Sequence, residues 1–218
     1  MLLLLYSMPL YQEWKPDENS LAAIWKIEED EDFFVQHTQI ETKIAHSKRR
    51  LEHLAGRFLL KFLKNDFPLF HIAADEHFKP RLPENACFFS ISHSFPYIAV
   101  TISEKNECGI DIQTWNNRIQ ILQNKFLNQK EQQLFQNDIR LLTLAWSAKE
   151  AAYKWLGRRG IDFIEQLPIS SLKQIGNSSD YRLIINAVNS NHILLEGHIH
   201  QSFASCICLP NQNYIDKL

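Results

Sequence analysis

Glycine is scarce in this chain, with six in 218 residues. No glycine-rich stretch of the P-loop or dinucleotide-binding kind is present, so a bound nucleotide would have to be gripped by side chains. Cysteine is rarer still, with four. Cys87, Cys108, Cys206 and Cys208 form no CxxC pair and no His/Cys zinc spacing, which excludes a disulfide scaffold and a zinc module. Cys206 and Cys208 alternate within an apparent strand as small core residues. A reduced, cytoplasmic protein fits this usage. Long apolar runs are also missing. Met1–Leu5 is too short to span a membrane and lacks a basic flank, so no membrane association is expected. Met8 offers a second start position, which would make residues 1–7 an extension. Neither sign of charge dominates: 25 acidic residues face 23 Lys and Arg, giving −2, which argues against general nucleic-acid binding.

What is present is an ordinary globular balance, 45% hydrophobic and 22% charged, enough for one large domain or two small ones. No fixed-period repeat is visible. Leu21–Ile27 has strand character, and the acidic run Glu28–Asp32 suits the start of a helix. Ser47–Lys64 is a strong helix with Leu51, Leu54, Ala55, Phe58, Leu59 and Phe62 on one face, and Arg49, His53 and Arg57 opposite. Residues 65–84 read as irregular. Short strands follow at Cys87–Ile91, Tyr97–Ser103 and Gly109–Ile112, with Ser-His-Ser in the turn after the first. Helices are expected at about 117–126, 128–136 and 138–156, then a meander of Arg182–Val188, His192–His200 and Phe203–Leu209. Strands and helices are grouped rather than strictly alternating, which indicates an α+β fold. A division near residue 104 gives two halves, 1–104 and 105–218, with no linker-like composition between them.

The helix at 138–156, with Asp138 as N-cap and Gly157 as C′ residue, is apolar on most faces, as a buried helix is. Yet Lys149, Glu150 and Lys154 fall within one arc of its wheel. A carboxylate in such a helix is costly unless paired or metal-bound. The plain alternative is a solvated Glu150–Lys154 ion pair. Asp111, between two isoleucines near a strand end, is equally out of place. Alternation puts Asp111 and Gln113 on one face, opposite Ile110 and Ile112. Asp111 and Glu150, with the amide oxygen of Gln113, make a ligand set for Mg²⁺, which takes one or two carboxylates plus substrate phosphates. Arg49, Arg57, Lys79, His93, Lys149 and Lys154 supply cations for more than one phosphate group.

Three segments in order carry a resemblance: Ser-Ile-Ser-His-Ser at 90–94, Gly-Ile-Asp-Ile-Gln at 109–113, and Trp-Ser-Ala-Lys-Glu-Ala-Ala-Tyr-Lys at 146–154. With Lys-Arg-Arg-Leu-Glu-His-Leu-Ala-Gly-Arg at 48–57, they resemble the 4′-phosphopantetheinyl transferase superfamily, and its larger single-chain type in particular. The resemblance implies a pseudo-dimer of two similar α+β halves, with mostly antiparallel sheets and the active site in the cleft between them. It implies Mg²⁺-dependent transfer of 4′-phosphopantetheine from coenzyme A to a serine of an acyl, peptidyl or polyketide carrier protein, by a monomer, releasing adenosine 3′,5′-bisphosphate. Carried over by motif, Asp111 and Glu150 bind the metal, and Lys149 and Lys154 contact phosphates, with Lys154 as a candidate acid. Ser92 and His93 hold the nucleotide end, Arg49 and Arg57 grip its 3′-phosphate, and Lys79 matches through Phe-Lys-Pro at 78–80. Many members of this type carry Glu where this chain has Gln113. That departure leaves open a non-catalytic module that binds coenzyme A or a carrier protein.

Overall fold

A computed structural model describes residues 9–187 and 191–209; Met8, residues 1–7 and the Val188 end of an expected strand lie outside the described residues. Two antiparallel strands, β1 (Leu10–Asp17) and β2 (Ser20–Lys26), open the fold. The turn between them is fixed by Asp17, whose carboxylate accepts from Asn19 N and Ser20 Oγ. Helix α1 (Glu31–Thr38) is capped by Asp30, which accepts from Phe33 N and starts the helix where the acidic run suits its dipole. Helix α2 (Ser47–Leu63) follows, its apolar face as expected.

The segment after α2 holds two-residue strands β3 (Ala73–Ala74) and β4 (Pro80–Arg81), paired as a small hairpin. Strand β5 (Phe88–Ser94) is longer than its sequence suggests, because Ser92, His93 and Ser94 continue the strand instead of turning. With β6 (Tyr97–Ser103) it completes a four-stranded sheet in the order β1-β2-β6-β5. Strand β7 (Ile110–Thr114) begins the second sheet. Helices α3 (Arg118–Leu122), α4 (Gln129–Phe135) and α5 (Ile139–Leu156) intervene, then β8 (Ile169–Gln174), β9 (Asp180–Ala187), β10 (Asn191–Ile199) and β11 (Phe203–Cys208). Their order is β7-β11-β10-β9-β8, with every neighbouring pair antiparallel. The fold is α+β, as the grouping of elements indicates. All four strands of the first sheet lie before residue 104 and all five of the second lie after it.

Period-2 alternation builds four layers from these parts. One face of the first sheet, with Ala23, Trp25, Ile98 and Val100, packs on Leu54, Leu59 and Leu60 of α2. Its other face, with Ala22, Ile24, Tyr97 and Ala99, meets Ile110, Ile112, Phe203 and Ile207 of the second sheet. The far face of that sheet packs Leu183, Leu195 and Cys206 on Leu144, Ala148, Ala151 and Ala152 of α5. Strand β6 is therefore buried along its whole length. All four cysteines are buried and free. Among the described residues, no helix is long and apolar enough to cross a membrane.

Candidate active site

The two sheets meet through side chains at β5 and β7. Ser90, Ser92 and Ser94 point from β5 toward β7, and their hydroxyl oxygens accept from Ile110 N, Ile112 N and Thr114 N at 3.2, 3.3 and 2.9 Å. One edge of β7 bonds to β11, so these hydroxyls satisfy backbone donors on its other edge. The Ser92 hydroxyl also donates, to Asp111 Oδ1 at 2.6 Å. The alternation that buries Ile110 and Ile112 between the sheets turns Asp111 toward α5.

Helix α5 comes close enough to meet it because residue 109 is glycine. A Cβ at Gly109 would collide with the Ala151 carbonyl oxygen and stand 2.9 Å from Trp155 N. The helix ends are set as the sequence indicates. Asp138 accepts from Arg140 N and Leu141 N, and Gly157 closes the helix with φ of 62°.

Asp111 is 1% exposed and is held from three sides. Besides Ser92, Lys154 Nζ donates to Oδ1 at 2.7 Å, and the Gln113 amide donates to Oδ2 at 2.9 Å. Lys154 also reaches the Ile110 carbonyl at 3.2 Å. Glu150, one turn before Lys154, accepts no hydrogen bond among the described residues. Burial first, and the Asp111 charge second, push its carboxyl up to about 7, while Lys154 pulls it down. The solvated Glu150–Lys154 pair is thus not formed, since Lys154 is committed to Asp111.

A buried carboxylate with a lysine partner beside a second carboxylate without one is a site short of positive charge. Among the described residues, no three His, Cys, Asp or Glu side chains converge on a metal position. Two carboxylates suffice for Mg²⁺, which keeps waters and takes phosphate oxygens, so the donor set fits that ion. Gln113 enters differently from expectation: it presents amide N–H to Asp111, so it orients that carboxylate and turns no oxygen toward the pair.

Lys149 requires a correction. It was expected to contact phosphate, but its side chain is fully buried and directed away from Glu150. Its Nζ pairs with Glu131 at 2.6 Å and donates to the Phe126 and Phe163 carbonyls at 2.6 and 2.8 Å. One residue along a helix is a 100° rotation, enough to pass from the side facing Asp111 to the interior. Ser92 is likewise 4% exposed and spent on Asp111 and Ile112, leaving no hydroxyl group for a nucleotide.

His93 alternates to the opposite face of β5, where it is exposed and its Nδ1 lies 3.3 Å from buried Glu52 of α2. Glu52 had no signal beyond its place in the Lys-Arg-Arg-Leu-Glu-His run. Arg49 is exposed. Arg57 is half-buried, bonds only its own helix at the His53 carbonyl, and has no carboxylate partner among the described residues. Burial lowers its pKa, and burial together with Arg57 lowers His53 to about 4, so His53 is neutral near pH 7.

Lys79 pairs with Glu107 at 2.7 Å, a residue that also holds Arg81. It borders a cavity of about 300 Å³ together with Phe78, Tyr153, Lys154, Arg158 and Arg159. This cavity lies between the β3–β4 hairpin loop and the end of α5, and Lys154 spans from it to Asp111. Phe78 belongs to the Phe-Lys-Pro motif, but Arg158 and Arg159 were not singled out from sequence; two adjacent arginines directly after Gly157 at a helix end were the available signal.

A search of curated proteins returns no match. A family model does match, over residues 107–208. That span holds the whole second sheet and α5, including Asp111, Gln113, Glu150 and Lys154, while Arg49, Arg57, Lys79, Ser92 and His93 precede it. The matching model is that of the 4′-phosphopantetheinyl transferase superfamily, to which residues 107–208 are similar.

Proposed function

We propose that this protein transfers the 4′-phosphopantetheine group of coenzyme A to a serine hydroxyl of an apo carrier protein. The observation that carries this reading is the Asp111–Lys154 pair with unpartnered Glu150 beside it, at the border of a cavity lined by cations. Such a cluster suits a substrate bearing several phosphates. The halves 1–104 and 105–218 are read as two related α+β units with the substrate between them. In support, each has an antiparallel sheet covered by one long helix, α2 or α5.

The serine oxygen attacks the β-phosphorus of coenzyme A, and the bond from that phosphorus to the bridging oxygen breaks. Adenosine 3′,5′-bisphosphate leaves with the bridging oxygen. Asp111 and Glu150 would hold Mg²⁺, which when bound neutralises charge on the pyrophosphate. Glu150, the carboxylate with free lone pairs, takes the serine proton. Lys154 donates a hydrogen bond to the oxygen on which charge develops. Lys79, Arg158 and Arg159 draw phosphates into the cavity, and Arg49, Arg57 and His93 receive the 3′-phosphate. Gln113 and Ser92 keep Asp111 aimed. The protein acts as a monomer in the cytoplasm, and its four buried, free cysteines suit a reducing compartment.

The deciding experiment mixes protein, Mg²⁺ and coenzyme A with several apo carriers and reads carrier mass. A phosphopantetheine increment on one carrier, lost in Asp111→Ala, is expected. Coenzyme A binding without any increment would replace this reading with the non-catalytic module.

A further inference from the structure

Lys149 is the one charged side chain of the 146–154 motif that the chemistry above does not use, yet it is among the best-satisfied groups in the molecule. Its three N–H donors meet three acceptors: the carbonyls of Phe126 and Phe163 and the Glu131 carboxylate. Glu131 is 2% exposed and equally committed. Its Oε1 also accepts from Ile169 N at 2.8 Å, and its Oε2 from Asn128 N at 2.8 Å, closing the capping box that starts α4. A single buried pair therefore ties α5 to the α3–α4 connection, the start of α4, the loop after α5 and the first residue of β8.

This matters because α5 meets the second sheet on either side of Glu150 through small side chains. Its contact with the second sheet at Ala148, Ala151 and Ala152 is a smooth stripe of methyl groups, which resists rotation less than interlocked large side chains do. Among the described residues, only two charged α5 side chains make hydrogen bonds outside the helix. They are Lys154, which must respond to substrate, and Lys149, which no substrate reaches. Trp146 packs on Phe126 and Phe163, the two residues whose carbonyls Lys149 holds.

We propose that Lys149 is a positioning residue: its buried clamp to Phe126, Phe163 and Glu131 fixes the rotation of α5, and so holds Glu150 and Lys154 opposite Asp111. The kinetic half of the claim rests on the transfer reaction proposed above. The structural half stands without it.

The test uses the full chain as Lys149→Met and as the double variant Lys149→Met, Glu131→Gln. The double variant removes the uncompensated buried carboxylate that alone could unfold the single one. Two measurements are made. Steady-state transfer is expected to show kcat reduced tenfold or more, with KM for coenzyme A within threefold of wild type. Amide hydrogen exchange is expected to quicken in peptides covering 126–131, 146–156 and 162–166, and to stay unchanged in 88–103. A tenfold rise in KM with kcat retained would make Lys149 a substrate contact and overturn the proposal. So would wild-type kcat in the folded double variant, or unchanged exchange in all of those segments. If the wild-type protein transfers nothing to any carrier, the functional reading fails, while hydrogen exchange still decides whether the clamp exists.

Discussion

Replacing Glu150 by glutamine should remove activity and, above neutral pH, make the metal-free protein more stable. The reason is electrostatic. Burial and the nearby Asp111 carboxylate raise the Glu150 pKa in the fold to about 7, from 4.5 for the free side chain. Between those values the folded protein keeps a proton that the unfolded chain has released. Stability therefore declines as pH rises from about 4.5, and the whole penalty is present above about 7. At roughly 1.4 kcal/mol per pKa unit the ceiling is about 3 kcal/mol. Partial solvation of the carboxylate reduces this to about 1–3 kcal/mol. For a chain of this length, 1 kcal/mol moves the melting temperature by roughly 2–4 °C. Glutamine has the same shape and no charge to lose.

Thermal melts in chelator at pH 8 should thus place Glu150→Gln about 2–12 °C above wild type. At pH 4, below both pKa values, Glu150 is protonated in the folded and the unfolded chain alike, and the two melts should nearly coincide. Adding Mg²⁺ at pH 8 should raise the wild-type melt, because a ligand that binds only the folded state stabilises it, and should leave the variant almost unmoved. A variant less stable than wild type in chelator at pH 8 would refute the reasoning, since it would mean that the carboxylate already has a partner in the fold.

Three further outcomes follow from the same geometry. Gly109→Ala drives a methyl group into the backbone of α5 at Ala151 and Trp155, where neither atom can move without the helix. It should cost about 2–4 kcal/mol in urea denaturation, and an unchanged midpoint would contradict the close approach. Ser92→Ala leaves the Ile112 N–H without its acceptor and removes a donor from Asp111, so a loss of about 1–3 kcal/mol is expected, with reduced turnover. Gln113→Glu exchanges an amide donor to Asp111 for a third carboxylate. It should lower the Mg²⁺ concentration giving half-maximal rate; an equal or greater requirement would show that position 113 does not face the metal.

The sequence was most legible where local chemistry acts alone. Asp138 and Gly157 bound α5 because a carboxylate cap and a left-handed glycine work within a few residues. Asp111 could be assigned its face because strand period is 2, so Ile110 and Ile112 left it no other side. Strands β1 and β8 were not legible. β1 carries Pro16 and Lys15 beside its apolar positions, and β8 is Ile-Ser-Ser-Leu-Lys-Gln, so pairing to neighbours rather than composition makes them strands. Ser90, Ser92 and Ser94 looked like turn residues, although their spacing of two was a strand signal in plain view. What they bond to lies some twenty residues away on another sheet. Lys149 was the hardest, because its partners are two backbone carbonyls and a glutamate eighteen residues earlier, none of which leaves a mark near position 149.

These misplacements share one physical cause. A motif selects residues by their effect on the reaction, and a side chain affects a reaction either by touching the substrate or by holding a group that does. Both leave the same trace in a sequence, a polar residue at a fixed distance from a carboxylate. The structure separates them by whether the donors and acceptors are already spent. Lys149, Ser92 and Gln113 have partners inside the protein, whereas Glu150 and Arg57 have no charge partner among the described residues. A desolvated group without a partner is a cost that the fold carries until something else arrives to balance it. Among the described residues those unbalanced groups include an acid beside Asp111 and a cation on α2, opposite in sign, which in the proposed transfer a metal and a phosphate of one substrate would each balance.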